Sequence, residues 1–104
     1  MPVLEVEPGT EARKISEVEL VVKSMNIQSL ADIQSVAGEL QAGNILVLDI
    51  SSLMDQDPAE LRRAIDQLKG ISQGIGGDVG RLSETKVLVT PKFVRIQFKK
   101  EAES

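Results

Sequence analysis

Hydrophobic residues in this chain follow two periods, and the switching between them sketches a fold. From Glu17 to Met25 the residues alternate, with Val18, Leu20 and Val22 on one side and Glu17, Glu19, Val21 and Lys23 on the other, the two-residue period of a strand. From Leu30 the spacing becomes helical: Leu30, Ile33, Val36, Ala37 and Leu40 form one apolar stripe. Ser29 is a candidate cap, Asp32 suits the positive end of the dipole, and Gly43 supplies a stop. Ile45 to Ile50 is a short apolar run without alternation, which predicts a central strand covered on both faces. Asp57-Pro58-Ala59-Glu60 then opens a second helix, with Asp at the cap, Pro at the first helical position and Glu where a capping box places it. Leu61, Ala64, Ile65, Leu68, Ile71 and Ile75 carry its apolar face until it frays among Gly70, Gly74, Gly76 and Gly77. Val79 to Leu82 and Lys86 to Thr90 read as strands joined by the turn Ser83-Glu84-Thr85. Pro91 breaks the pairing, and Phe93 to Lys99 alternates again.

The predicted order is therefore β-α-β-α-β-β-β, an α+β two-layer sandwich with a mixed five-stranded sheet carrying two helices on one face. Residues 1–15, with Pro2, Pro8 and Gly9 among acids, read as a flexible or edge-pairing arm; 16–99 form the core domain and 100–104 a polar tail. Two helices cover only one side of such a sheet. Val87 and Val89 point away from Leu88, so one face is left too apolar for water, and a homodimer through that face is the simplest cover.

Composition narrows the chemistry. The chain has 104 residues, a net charge of −4 and no His, Cys, Trp or Tyr. Triads built on imidazole or thiolate are excluded, as are zinc sites made of Cys or His, so no enzyme, metal or cofactor is expected. Absent cysteines suit a reducing cytoplasm. The acidic balance and an aromatic content of 2% argue against nucleic acid, which favours basic surfaces and stacking platforms. No stretch approaches the roughly 20 apolar residues of a membrane span, and Met1 to Glu5 lacks the blocks of a secretory signal, so a cytoplasmic chain is expected. The glycine run from Gly74 to Gly80 leaves a helix and enters a strand, the reverse of a phosphate-binding loop. Asp49, Asp55 and Asp57 lack the ligand spacing of a calcium loop. Charge is segregated: Ser24 to Leu61 holds no Lys or Arg, whereas Lys86 to Lys100 holds Lys86, Lys92, Arg95, Lys99 and Lys100 and no acid.

One stretch is more specific. Gly76-Gly77-Asp78, then Arg81, then Leu88-Val89-Thr90-Pro91 closing a strand, resembles the SepF family of cell-division proteins, with a looser likeness upstream over about residues 16 to 98. The resemblance implies a cytoplasmic adaptor that dimerises through its sheet and binds the C-terminal tail of FtsZ. It would thereby link FtsZ filaments to the membrane at the division site. It assigns tail contacts to Arg81 and Val87, the latter a position where bacterial members usually carry Phe, which implies a shallower pocket here. Val87 and Val89, on the face the helices leave uncovered, are the expected dimer interface, and the resemblance ties Gly70 to self-association. Family members reach the membrane through an N-terminal amphipathic helix, and Met1 to Ser16 shows no such apolar face and basic rim, so direct membrane binding would need a segment not evident in this chain. A second likeness, of Val47-Leu48-Asp49-Ile50-Ser51-Ser52 to the buried strand and serine loop of STAS-type anti-sigma factor antagonists, implies a switch phosphorylated at Ser51 or Ser52.

Overall fold

The computed structural model describes residues 19–99. The arm expected over residues 1–15 and the tail over 100–104 lie outside them. Among the described residues, four strands and three helices follow in the order β1 (Val22–Asn26), α1 (Asp32–Gln41), β2 (Ile45–Asp49), α2 (Ser51–Gln56), α3 (Pro58–Ile75), β3 (Asp78–Arg81) and β4 (Lys86–Thr90). The sheet order is β1-β2-β4-β3. β1 and β2 run parallel across the α1 crossover, β4 is antiparallel to both its neighbours, and the sheet is mixed as the sequence predicts.

The register settles which side of the sheet is covered. Leu46 faces Val89 and Leu48 faces Val87 across β2 and β4, and all four are buried with Ile33, Val36 and Leu40 of α1 and Ala64 and Leu68 of α3. The two valines expected at a dimer face therefore belong to the helix-covered core: Val87 is 3% exposed and Val89 0% within the single chain. The alternate set is the open one, with Val22, Ile45, Val47 and Leu88 sharing the other side of the pleat. Strand alternation identified two faces correctly, but only tertiary contact shows which of them the helices choose.

Four further departures have local causes. Ser51–Gln56, to which the sequence pattern assigns no element, is a short helix whose Leu53 is buried; it lacks a side-chain cap and is too short to show a period. Ser29 does not cap α1: the Asp32 carboxylate accepts from the Gln28 and Ser29 N–H groups at 2.7 and 3.3 Å, and Glu60 of α3 accepts from Leu30 N–H at 2.7 Å. Asp57 caps α3 as expected, accepting from Glu60 N–H at 3.1 Å, while the Glu60 side chain ties two helix starts together instead of closing a capping box. The fifth strand is absent, since Phe93 turns the chain at φ 75° and residues 94–99 join no ladder. That segment returns past β3 instead, where Phe98 and Ile96 lie over the missing side chain of Gly80.

Candidate peptide-binding pocket

The pattern from Gly76 to Pro91 acts as one physical unit. Gly76 ends α3 in the left-handed conformation at φ 82°, and the following Gly77 N–H reaches back to Ser72 C=O at 2.9 Å, which closes the last turn. A Cβ on Gly77 would stand 2.0 Å from the Thr90 carbonyl oxygen, so only glycine lets β3 leave the helix so close to β4. Thr90, buried, accepts from Asp78 N–H at 3.0 Å and donates its hydroxyl to Val94 C=O at 2.6 Å. The Asp78 carboxylate accepts from Ile96 N–H at 3.0 Å and Val79 N–H at 2.9 Å, and these bonds, Ile96 first, hold its pKa below the ordinary range. The motif thus fixes helix end, strand pair and returning segment in one arrangement.

That arrangement sets Arg81 directly across from Val87 in the β3–β4 register. Both line a pocket of about 230 Å³ between β3 and α3, with Ile50, Leu61, Ile65, Val79 and Gly80 as apolar surface and Lys69 as a second cation. A shallower groove of about 410 Å³ shares Leu61, Ile65, Lys69 and Arg81 and continues along α3 past Met54, Arg62 and Asp66. Arg81 is held in place by the hairpin tip: its Nε donates to Ser83 C=O at 3.1 Å and its Nη2 to Glu84 C=O at 2.7 Å. An apolar trough edged by Arg62, Lys69 and Arg81 suits a peptide with aliphatic or aromatic anchors and an acidic group. Arg81 and Val87, which the family resemblance names, come together at this pocket; Lys69 joins them without having been named, although Leu61, Ile65 and Lys69 recur every four residues on one side of α3. Gly70, one residue on, is exposed and faces open space.

A third groove, of about 380 Å³ between α1 and α3, is lined by Leu30, Ile33, Ala37, Ile71 and uncharged neighbours and offers no ionic contact to fix a ligand. On the open side of the sheet, Asp49 accepts from the Ser51 N–H at 2.9 Å, the Ser51 hydroxyl at 2.7 Å and Lys86 Nζ at 3.3 Å. Together these hold its pKa at about 2, the Ser51 backbone contributing most. Among the described residues no helix is long and apolar enough to cross a membrane.

Comparison with known proteins agrees with the motif. The family model described as cell division protein SepF matches residues 22–96. No curated protein matches the chain. Among solved structures, a SepF-like protein from Archaeoglobus fulgidus is 25% identical with a TM-score of 0.72, covering 78% of this chain and 96% of its own. A SepF-like protein from Pyrococcus furiosus is 29% identical with a TM-score of 0.71, over 77% of this chain and 96% of that one. Cell division protein SepF from Methanobrevibacter smithii, solved in complex with FtsZ-CTD, is 22% identical with a TM-score of 0.66, over 78% and 100% of the two chains, a likeness of fold.

Proposed function

The chain belongs to the SepF family of cell division proteins, and on that premise we propose that it is a non-enzymatic adaptor that takes the C-terminal tail of FtsZ into the pocket between α3 and β3. The observation that carries this reading is the convergence of Arg81 and Val87, cross-strand partners, on one apolar pocket with Lys69 at its rim. A neighbour of the same fold is known in complex with FtsZ-CTD. The antagonist reading of Ser51 and Ser52 gives way to this family; the Ser51 hydroxyl is engaged by Asp49.

The adaptor would act as a homodimer joined through the open face of the sheet, with Val22, Ile45, Val47 and Leu88 as the apolar surface in place of Val87 and Val89. Val22 is 63% exposed in the single chain, and Ile45, Val47 and Leu88 beside it are half-buried. Gly70, on the outer side of α3, would serve contact between dimers, and the assembly would work on the cytoplasmic side of the membrane at the division site, joining FtsZ filaments to it.

Titration of a fluorescent peptide from the end of a cognate FtsZ tests the pocket. Micromolar-range binding is expected, weakened at least about tenfold by Arg81→Glu or Lys69→Glu, a loss in the range of a charge-assisted contact. Val87 is unsuited to a charge substitution because it is core. Undiminished binding by both variants would reject the pocket. Leu88→Glu should halve the mass in light scattering, and an unchanged mass would reject the sheet-face dimer.

A further inference from the structure

The turn after β4 presents an aromatic ring that the core does not use. Phe93 is 87% exposed, the most exposed of the large apolar side chains described. It is also the one residue other than glycine, among those described, with a positive φ, at 75°, a conformation disfavoured for a bulky L-residue. The turn is braced on both sides. Pro91 is buried, Val94 N–H donates to Pro91 C=O at 3.2 Å, and the Thr90 hydroxyl donates to Val94 C=O at 2.6 Å. A ring held outward by a rigid and strained turn asks for a purpose outside the subunit.

Its surroundings indicate the kind of partner. Lys92 holds its ammonium 5.0 Å from the Phe93 ring centroid, and its stem lies beside Gly76 at the end of α3. Arg95 follows, within electrostatic reach of Asp78, whose carboxylate is already committed to two backbone N–H groups. From Lys86 to Lys100 the chain holds no acid. Phe98, 57% exposed, is the second aromatic of this segment.

We propose that the Pro91–Arg95 turn is a lipid-contacting tip, in which Phe93 enters the headgroup region of a membrane bearing anionic phospholipids and Lys92 and Arg95 meet the headgroup charge. A protein partner fits less well. A single ring projecting from between charged neighbours offers none of the roughly 800 Å² per side that a stable protein interface buries, whereas a bilayer interface accepts one aromatic wedge with cations around it. One such tip binds weakly; two on a dimer act together. The tip would add a contact made by the folded core to the membrane link of the adaptor, on which it rests, and it is separate from the peptide pocket.

The chain contains no Trp and no Tyr, so Phe93→Trp in the full chain gives a single reporter. With vesicles of phosphatidylglycerol and phosphatidylcholine, the introduced indole should shift to the blue and be quenched by brominated acyl chains. Pure phosphatidylcholine vesicles or raised salt should abolish both signals. Phe93→Gly, which relieves the turn, should float with anionic vesicles at least about tenfold less while melting no lower than the parent and binding the FtsZ peptide equally. Vesicle-bound protein whose indole is not quenched overturns the proposal. So does a blue shift that rises with protein concentration in the absence of lipid, which would assign the ring to a second copy, or flotation unchanged by Phe93→Gly.

Discussion

Gly77→Ala distinguishes a close-packed glycine turn from a merely flexible linker. The added Cβ would lie 2.0 Å from Thr90 O, 3.0 Å from Thr90 C and 3.1 Å from Pro91 O, all backbone atoms that no rotamer change can move. Ordinary contact begins near 3.4 Å, so β3 must retreat from β4 by about 1.4 Å at this point. A displacement of that size breaks the Asp78 N–H to Thr90 Oγ1 bond and loosens the pairing beside it. Overpacking against backbone together with a lost buried hydrogen bond costs about 3 kcal/mol or more. A domain of this size has on the order of 5–15 kcal/mol in all, and the loss corresponds to a fall in Tm of roughly 12–24 °C at about 4–8 °C per kcal/mol. Gly74→Ala is the matched control: nothing lies within 4 Å of its added Cβ inside α3, so the same chemical change should raise stability by about 0.5–1 kcal/mol. Circular dichroism melts of the two variants should move in opposite directions. A Gly77→Ala melt within a degree or two of the parent would refute the close approach of β3 to β4 as the reason for glycine.

Two other outcomes follow from the polar groups. Asp49 titrates at about 2 in the folded chain, below its ordinary value near 3.9. A depressed carboxylate stabilises the fold fully above the unfolded value and loses that contribution as pH falls toward the folded one, so the urea midpoint should drop between about pH 4 and 2 and drop less in Asp49→Asn. Thr90→Val removes the hydroxyl that joins Asp78 N–H to Val94 C=O. About 1–3 kcal/mol should be lost, with faster amide exchange at Ile96 as the returning segment loosens; unchanged exchange there would show that Thr90 does not hold it.

The sequence was a good guide wherever a residue type has one conformational use. Asp57-Pro58 marks a helix start because Asp caps and Pro tolerates the first turn; the glycines expected to fray its end do not act alike, since Gly70 and Gly74 lie inside an unbroken helix and only Gly76-Gly77 ends it, through a left-handed residue and a close backbone approach. Alternation in Lys86 to Thr90 located the strand but not its covered face, since period two is symmetric and the choice lies with α1 and α3. The same limit explains the pocket. Arg81 and Val87 could be placed because a motif held them, whereas Lys69 enters only when α3 packs beside β3, a contact without local signature. Phe93 to Lys99 alternates like a strand, yet the Ile96 N–H donating to the Asp78 carboxylate and the Thr90 hydroxyl donating to Val94 C=O hold it in a returning path outside any ladder.

The tethering of Arg81 to the carbonyls of Ser83 and Glu84 reaches beyond the pocket it borders. A ligand carboxylate that recruits this guanidinium must bargain with the two carbonyls already holding it, so engagement and release are felt at the loop tip. On the proposed reading, occupancy would become audible in the backbone of residues 82–85, where relaxation measurements can listen without touching the groove.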